Sequence, residues 1–158
     1  MRVQDAMSAT VVTLSPAETL REAARLMLER RVGAALVVDE MLPGPGILTE
    51  RDIMRAVATG ADLDTATVQD TMTFEARTSG ADWDLEKAGA AMIDGHFRHL
   101  IVVADHGGIV GIVSMRDIVR AKVRLARAGA SAGRPIGDTT TEITGTAAKP
   151  APSTARTP

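Results

Sequence analysis

The sequence predicts an α/β fold in which two β-α-β-β-α repeats pack on each other as one module with pseudo-two-fold symmetry. The main observation is an internal duplication: V-Q-D-A-M begins at Val3, and V-Q-D-T-M begins 65 residues later at Val68. The segments T-E-R-D-I-M-R-A and S-M-R-D-I-V-R-A are separated by the same 65 residues. Residues 3–58 and 68–123 share 17 identities in 56 aligned pairs, whereas unrelated sequences of average composition share about 4. Because half a chain of this length buries little core alone, we expect the copies to pack together.

Helices are predicted by apolar residues that recur with helical spacing at the same place in both copies. In the first copy this face consists of Leu20, Ala23, Ala24, Met27 and Leu28, and in the second of Leu85, Ala88, Gly89, Met92 and Ile93. The segment S-P-A-E at 15–18 is typical of a capping box with proline at the first helical position. We therefore expect the first helix to begin there.

Strands are predicted by short apolar runs rich in valine and isoleucine. Such runs follow each helix at 34–38 and 100–103, and a further strand ends each copy at 46–48 and 111–113. A second helix then begins at Thr49 or Ser114. Because a helix connects the first two strands of each copy, a parallel pairing with a right-handed crossover is favoured.

The predicted organisation is repeat 1 at residues 1–59, a linker at 60–67, repeat 2 at 68–128 and a tail at 129–158. The tail is rich in Gly, Ala, Ser, Thr and Pro and has no periodicity, which predicts disorder.

Composition excludes several classes of protein. The net charge is −2, and Lys and Arg are interspersed with acidic residues, so no basic surface for nucleic acid is expected. Cysteine is absent, which excludes disulfides and cysteine-based metal sites and fits a cytoplasmic protein. No apolar segment is long enough for a membrane span or a signal peptide. Since aromatic residues make up only 2%, a planar ligand is expected between aliphatic side chains and backbone.

Each copy closes with the pattern G-I-h-[ST]-x-R-D-I, where h is apolar, at 46–53 and 111–118. A helix N-terminus carries partial positive charge and free N–H groups, which suit a phosphate. A hydroxyl at the N-cap can bond to a phosphate or sugar oxygen, and the Asp three residues later can accept hydrogen bonds from two ribose hydroxyls. T-x-x-D and S-x-x-D are also typical of plain helix caps. The motif alone therefore leaves capping and ligand binding open.

The duplication, the V-Q-D-x-M opening and this closing turn together resemble the CBS domain family, and the pair resembles a Bateman module over residues 2–127. The resemblance implies a non-enzymatic regulatory module that binds an adenosine-containing nucleotide between its repeats: AMP, ADP, ATP or S-adenosylmethionine. It further implies that Asp52 and Asp117 hold the ribose, and that Thr49 and Ser114 lie near the neighbouring oxygens.

Two basic residues distinguish the copies. Arg98 and His99 precede a strand of the second copy, whereas the equivalent residues of the first are Gly33 and Ala34. In the family such a pair faces the nucleotide phosphates, so the resemblance implies that repeat 2 holds the better anion site; a solvated strand edge is the alternative. We expect His99, with an ordinary pKa near 6.5, to tighten phosphorylated ligands as pH falls from 8 to 6. The remaining candidates are Arg51 and Arg116, as phosphate contacts or solvated side chains, and Ile112 and Ile47, beside the adenine.

Catalysis and metal binding are not expected. The chain has no Cys or Tyr nucleophile and no Gly-rich phosphate loop, and the spacing H-x-x-H at 96–99 does not place both rings on one face of a strand. The alternative to a nucleotide sensor is a ligand-free scaffold for dimerisation or protein binding. The resemblance also implies a homodimer, formed through the helices that begin near Glu50 and Met115, and a regulated protein bound in trans that the sequence does not identify.

Overall fold

The computed structural model describes residues 1–132. The first copy contains β1 (Thr13–Leu14), α1 (Leu20–Arg30), β2 (Ala34–Val37), β3 (Gly46–Thr49) and α2 (Glu50–Ala58). The second contains α3 (Val68–Thr71), β4 (Thr78–Gly80), α4 (Leu85–Asp94), β5 (His99–Val103), β6 (Ile109–Ser114) and α5 (Met115–Ala132). A short 3₁₀ turn at Val3–Asp5 opens the chain. The predicted β-α-β-β-α order is confirmed in both copies.

Each copy forms its own three-stranded sheet, in the orders β1-β2-β3 and β4-β5-β6. The first two strands of each sheet run parallel, as the intervening helix predicts, and the third is antiparallel to the second. Both sheets are therefore built from the same crossover followed by a hairpin.

The middle strands are buried on both faces, which explains their continuous apolar runs. In β2, Ala35 and Val37 pack with α1 and α2, whereas Leu36 points to the opposite face. In β5, Ile101 likewise points to that opposite face. There the two sheets meet in one shared cluster, whose buried members are Ala34, Leu36, Ile47, Ala76 and Ile101. Alternation of side chains along a strand thus builds both the core of each repeat and the contact between repeats.

The two V-Q-D-x-M segments exchange places between the copies. Val3 is buried in the core of the second copy, and its N–H donates to the Trp83 carbonyl at 2.9 Å. Val68 is buried in the core of the first copy, and its N–H donates to the Glu18 carbonyl at 2.8 Å. Each spatial unit therefore takes its opening turn from the other copy of the sequence, so neither core is complete alone.

The exchange explains why the closing motif of the second copy begins with a glycine, Gly111. Ser8 follows the first exchanged segment and forms two backbone hydrogen bonds with Ile112, at 2.9 and 3.0 Å. A Cβ on Gly111 would lie 2.6 Å from the Ser8 carbonyl oxygen. A side chain at that position would push the exchanged segment off the edge of β6.

The predicted start of the first helix was wrong. The segment 15–18 forms a turn, in which the Glu18 N–H donates to the Ser15 carbonyl at 3.2 Å, and α1 begins at Leu20 with Thr19 as its N-cap. The capping box lies four residues further along the chain: the Glu22 N–H donates to Thr19 Oγ1, and the Thr19 N–H donates to Glu22 Oε2. Long-range pairing decides this, because the carbonyls of Pro16 and Glu18 accept from the second exchanged segment instead of joining a helix.

Two residues of the predicted helix faces are not buried. Leu28 is 80% exposed and its equivalent Ile93 is 64% exposed, whereas the earlier apolar residues of each face are buried or, for Ala24, partly buried. They lie at the outer edge of the faces, where no other part of the described chain covers them.

The predicted linker packs against the first repeat, and the predicted tail begins within a helix. Leu63 and Ala66, in the predicted linker, pack against the core of the first repeat, and Asp64 pairs with Arg21 of α1. Helix α5 continues through Ala132, four residues past the predicted repeat boundary at 128. The rest of the predicted disordered tail, 133–158, lies outside the described residues. Within residues 1–132, no helix is both long and apolar enough to cross a membrane.

Candidate functional site

A cleft of about 410 Å³ opens between the two repeats. Six of the ten predicted site residues line it: Arg98, His99, Ile112, Ser114, Arg116 and Asp117. The first repeat contributes the opposite walls, with Val11 and Val12 before β1 and with Arg31, Val32, Gly33 and Glu50. Four arginines and two carboxylates line the cleft, so its formal charge is positive and suits an anionic ligand.

Of the two roles that the sequence left open for Asp117, helix capping occupies only one of its carboxylate oxygens. Its Oδ2 accepts from the Ser114 N–H at 2.9 Å and from Ser114 Oγ at 2.5 Å, which caps α5. Its Oδ1 lies 3.8 Å from a guanidinium nitrogen of Arg120. Because a carboxylate has about four acceptor positions, Oδ1 remains able to accept from a ribose hydroxyl.

Ser114 has a more limited role than the sequence suggested. Its single hydroxyl proton is donated to Asp117, and its oxygen accepts from the Asp117 N–H at 3.3 Å. In this arrangement the hydroxyl can accept one more hydrogen bond but has no proton left for a phosphate oxygen. Ser114 therefore orients Asp117 and suits a ribose hydroxyl better than a phosphate.

Arg98 and His99 lie where β5 begins, beside the N-terminus of α5. His99 is paired in register with Ser114, and the Met115 N–H donates to the Arg98 carbonyl at 2.9 Å. Burial lowers the pKa of the His99 imidazole below its usual value, and the Arg98 cation lowers it further. Protonation of His99 in the ligand-free protein therefore needs a lower pH than that of an unperturbed histidine.

Three charged residues of the cleft were not predicted. Arg120 lies one helical turn after Asp117, and this i, i+3 spacing was a signal that could have found it. Arg31, which ends α1 in a left-handed conformation with φ of 56°, and Glu50 come from the first repeat. No local signal places these two in the cleft, because their position depends on how the repeats pack.

The other four predicted residues lie outside this cleft. Thr49, Arg51 and Asp52 lie at the equivalent position of repeat 1, and Ile47 is buried in the shared cluster between the sheets. The capping contacts are the same: Asp52 Oδ2 accepts from the Thr49 N–H at 2.9 Å and from Thr49 Oγ1 at 2.6 Å. The Asp52 side chain is only 9% exposed, compared with 22% for Asp117. The structure therefore places the predicted residues of repeat 2 in the cleft, opposite a wall formed by repeat 1. The predicted residues of repeat 1 lie outside the cleft. No group of three potential metal ligands occurs within residues 1–132.

Comparison with known proteins agrees with this architecture. The family model of the CBS domain matches twice, at residues 3–59 and 68–124. The CBS domain-containing protein YhcV of Bacillus subtilis is 38% identical over 117 residues, which cover 73% of this chain and 81% of YhcV.

Two similar solved structures contain adenosine compounds. A CBS domain protein from Pyrobaculum aerophilum, complexed with AMP, has a TM-score of 0.70 and 29% identity over 82% of this chain and 99% of that one. The CBS domain pair of protein MJ0100, in complex with 5′-methylthioadenosine and S-adenosyl-L-methionine, has a TM-score of 0.70 and 26% identity over 79% of this chain and 98% of that one. From its duplicated sequence, its paired sheets and these matches, the chain belongs to the CBS domain family, as a tandem pair of CBS domains.

Proposed function

We propose that this chain is a cytoplasmic, non-enzymatic regulatory module that binds an adenosine-containing nucleotide in the cleft lined by Arg98 and Asp117. The ligand is AMP, ADP, ATP or S-adenosylmethionine, and binding is signalled in trans to a partner protein. The observation that carries the proposal is the convergence of a ribose acceptor, several cations and an apolar wall in one cleft between the repeats. The similar proteins in complex with AMP and with S-adenosyl-L-methionine support it.

Different residues of the cleft suit the base, the ribose and the phosphate of the ligand. Val11, Val12 and Ile112 supply an apolar surface for adenine, in keeping with the lack of aromatic residues. Asp117 Oδ1 is available to the ribose, and Arg98 to a phosphate. An arginine–phosphate contact is charge-assisted and about twice as strong as a neutral hydrogen bond. The base therefore contributes affinity shared by all adenosine ligands, and the phosphate end distinguishes them.

Thermal unfolding with each of the four ligands tests the proposal. A ligand that binds only the folded state stabilises it by about 2.7 kcal/mol at 100 times its dissociation constant, which raises the midpoint by several degrees. A rise with at least one of the four ligands is expected. If none of them at millimolar concentration moves the midpoint, the sensor function fails and the scaffold function replaces it.

Exposed apolar side chains on two helices favour the second candidate, a scaffold, which is compatible with ligand binding. Helices α2 and α5 expose apolar side chains that the described chain does not cover: Met54, Val57, Val119, Val123 and Leu125. An apolar surface of this extent on two helices supports a homodimer formed through them. Light scattering on the full chain at tens of micromolar should give twice the mass of one chain. A monomer mass, with and without nucleotide, would rule the dimer out.

A further inference from the structure

Glu50 is an acidic residue in a cleft whose other features suit anions. It is the first residue of α2 and reaches the cleft from repeat 1. Its carboxylate lies against the backbone of Gly33: Oε2 is 3.1 Å from the position that a Cβ on Gly33 would occupy. Within residues 1–132 Glu50 makes no ion pair. No neighbour therefore neutralises its charge directly.

Pseudo-symmetry relates the turn that carries Glu50 to the turn that carries Arg98, the proposed phosphate contact. Gly33 and Glu50 of the first copy correspond to Arg98 and Met115 of the second. The same backbone hydrogen bond joins each pair: the Glu50 N–H donates to the Gly33 carbonyl at 3.1 Å, and the Met115 N–H to the Arg98 carbonyl at 2.9 Å. All four residues line the one cleft. Each copy thus presents the same turn to the ligand, one with an anion and the other with a cation.

The charge of Glu50 extends to the side of the cleft where Arg98 lies. Burial, then the cations of Arg98 and Arg116, lower the pKa of His99, whereas the carboxylates of Asp117 and Glu50 act in the opposite direction. A phosphate close to His99 is therefore also within the electrostatic range of Glu50.

We infer that Glu50 is a specificity-determining residue of the cleft, whose negative charge disfavours ligands that carry more phosphate groups and favours cationic ones. This inference rests on the proposed nucleotide binding and narrows its ligand class. Each additional phosphate brings further negative charge into the space that Glu50 shares with Arg98, so repulsion grows from AMP to ATP. The cationic sulfonium of S-adenosylmethionine is attracted by the same carboxylate. Glu50 thereby opposes the arginines and limits the preference for highly charged ligands.

Calorimetric titration of the full chain with adenosine, AMP, ATP and S-adenosylmethionine tests this inference. Glu50→Gln retains the size of the side chain and removes its charge. One charge at about 8 Å in a solvated cleft changes affinity on the order of two- to threefold per ligand charge. AMP carries about two negative charges and ATP about four. We therefore expect AMP to bind about four- to ninefold tighter and ATP more than about 15-fold tighter, adenosine to be unchanged, and S-adenosylmethionine, with one net positive charge, to bind about two- to threefold more weakly.

Glu40→Gln is the matched control, because Glu40 is exposed in the loop between β2 and β3, at the end of β2 away from Gly33. It changes the net charge equally and should leave all four affinities within about twofold. Equal gains for adenosine and ATP in Glu50→Gln would show an effect of shape, and an unchanged ratio of ATP to AMP affinity would show no effect of charge; either result overturns the inference.

A measurement without nucleotide separates failure of the inference from failure of the proposed function. Because the Glu50 carboxylate raises the pKa of His99, Glu50→Gln should lower that pKa in the ligand-free protein, as followed by NMR of the imidazole. An unchanged His99 pKa would show that the charge of Glu50 does not reach the anion side, and would overturn the inference. If the wild type binds none of the ligands, the proposed function fails, and the inference fails with it.

Discussion

The two repeats share their fold and their helix caps but differ in the cleft that each presents. Asp52 and Asp117 accept the same two hydrogen bonds from Thr49 and Ser114, with distances that agree within 0.1 Å. Of these two carboxylates, only that of Asp117 lines the charged cleft with Arg98. After the duplication, packing and capping were therefore retained in both copies. A small number of changed positions beside these elements makes the copies chemically different.

The largest expected effect concerns the part that the repeats share. Leu20 and Leu85 are equivalent and fully buried, one in each core. Leu20→Ala and Leu85→Ala should each lower the free energy of unfolding by about 2–5 kcal/mol, because each removes buried apolar surface and leaves a cavity. Urea denaturation measures both. Losses that differ by more than about 2 kcal/mol would show that the two cores do not contribute alike.

Arg98→Gln should affect binding without affecting stability. A hydrogen bond to a charged group contributes about 1.5–3 kcal/mol, so AMP should bind about 10- to 100-fold more weakly while adenosine changes little. Since Arg98 is exposed, the unfolding free energy should stay within about 0.5 kcal/mol. Arg25→Gln, on the exposed side of α1, is the control for the lost charge. A similar loss of AMP affinity in both variants would point to a general charge effect instead of a phosphate contact.

The N-cap residues Thr49 and Ser114 allow the two repeats to be compared closely, because both residues cap a helix in the same way. Thr49→Ala and Ser114→Ala should each cost about 1 kcal/mol of stability through loss of the cap. Only Ser114→Ala should also weaken nucleotide binding, since Ser114 orients the Asp117 carboxylate in the cleft. Thermal unfolding and calorimetry of the two variants give both quantities. Weaker binding in Thr49→Ala to the same extent would contradict the asymmetry.

The smallest expected effect is a dependence of stability on pH. The pKa of His99 is lowered in the folded protein, so the unfolded chain takes up this proton first as pH falls. The contribution of neutral His99 to stability is therefore complete above about pH 6.5 and is lost below it. Tightening of phosphorylated ligands by His99 protonation should accordingly begin below about pH 6.5 and not at pH 8. His99→Gln should flatten the change in unfolding free energy between pH 7.5 and 5.5, and identical slopes would contradict this.

The sequence predicted the fold well where local patterns and the duplication were sufficient. The two long helices and the last two strands of each copy followed from periodicity, and the parallel pairing across α1 followed from chain order. The exchange of Val3 and Val68 between cores could not be predicted, because both copies of the motif are alike and either core could accept either segment. The start of α1 was misplaced since long-range hydrogen bonds from the second exchanged segment outweighed the local signal of Ser15.

The candidate site was also predicted only in part, because local sequence patterns do not show how the repeats pack. The predicted residues of repeat 2 lie in one segment of sequence around β5 and β6, where the closing motif and the basic pair Arg98 and His99 identified them. Arg31 and Glu50 reach the cleft from repeat 1, and only the packing of the repeats brings them there. Local motifs therefore identify one wall of a site between repeats, whereas the opposite wall requires the three-dimensional structure.

The difference between the repeats is tested most directly by calorimetric titration of AMP into Asp52→Ala and Asp117→Ala. Each substitution removes the same capping contacts, so the loss of stability is matched and the difference in binding isolates the ligand contact. Asp117→Ala should bind AMP at least tenfold more weakly than the wild type, because it removes a hydrogen bond to a charged group. The AMP affinity of Asp52→Ala should stay within about threefold of the wild type. Equal losses in the two variants, or a larger loss in Asp52→Ala, would contradict the assignment of the nucleotide to the cleft of repeat 2.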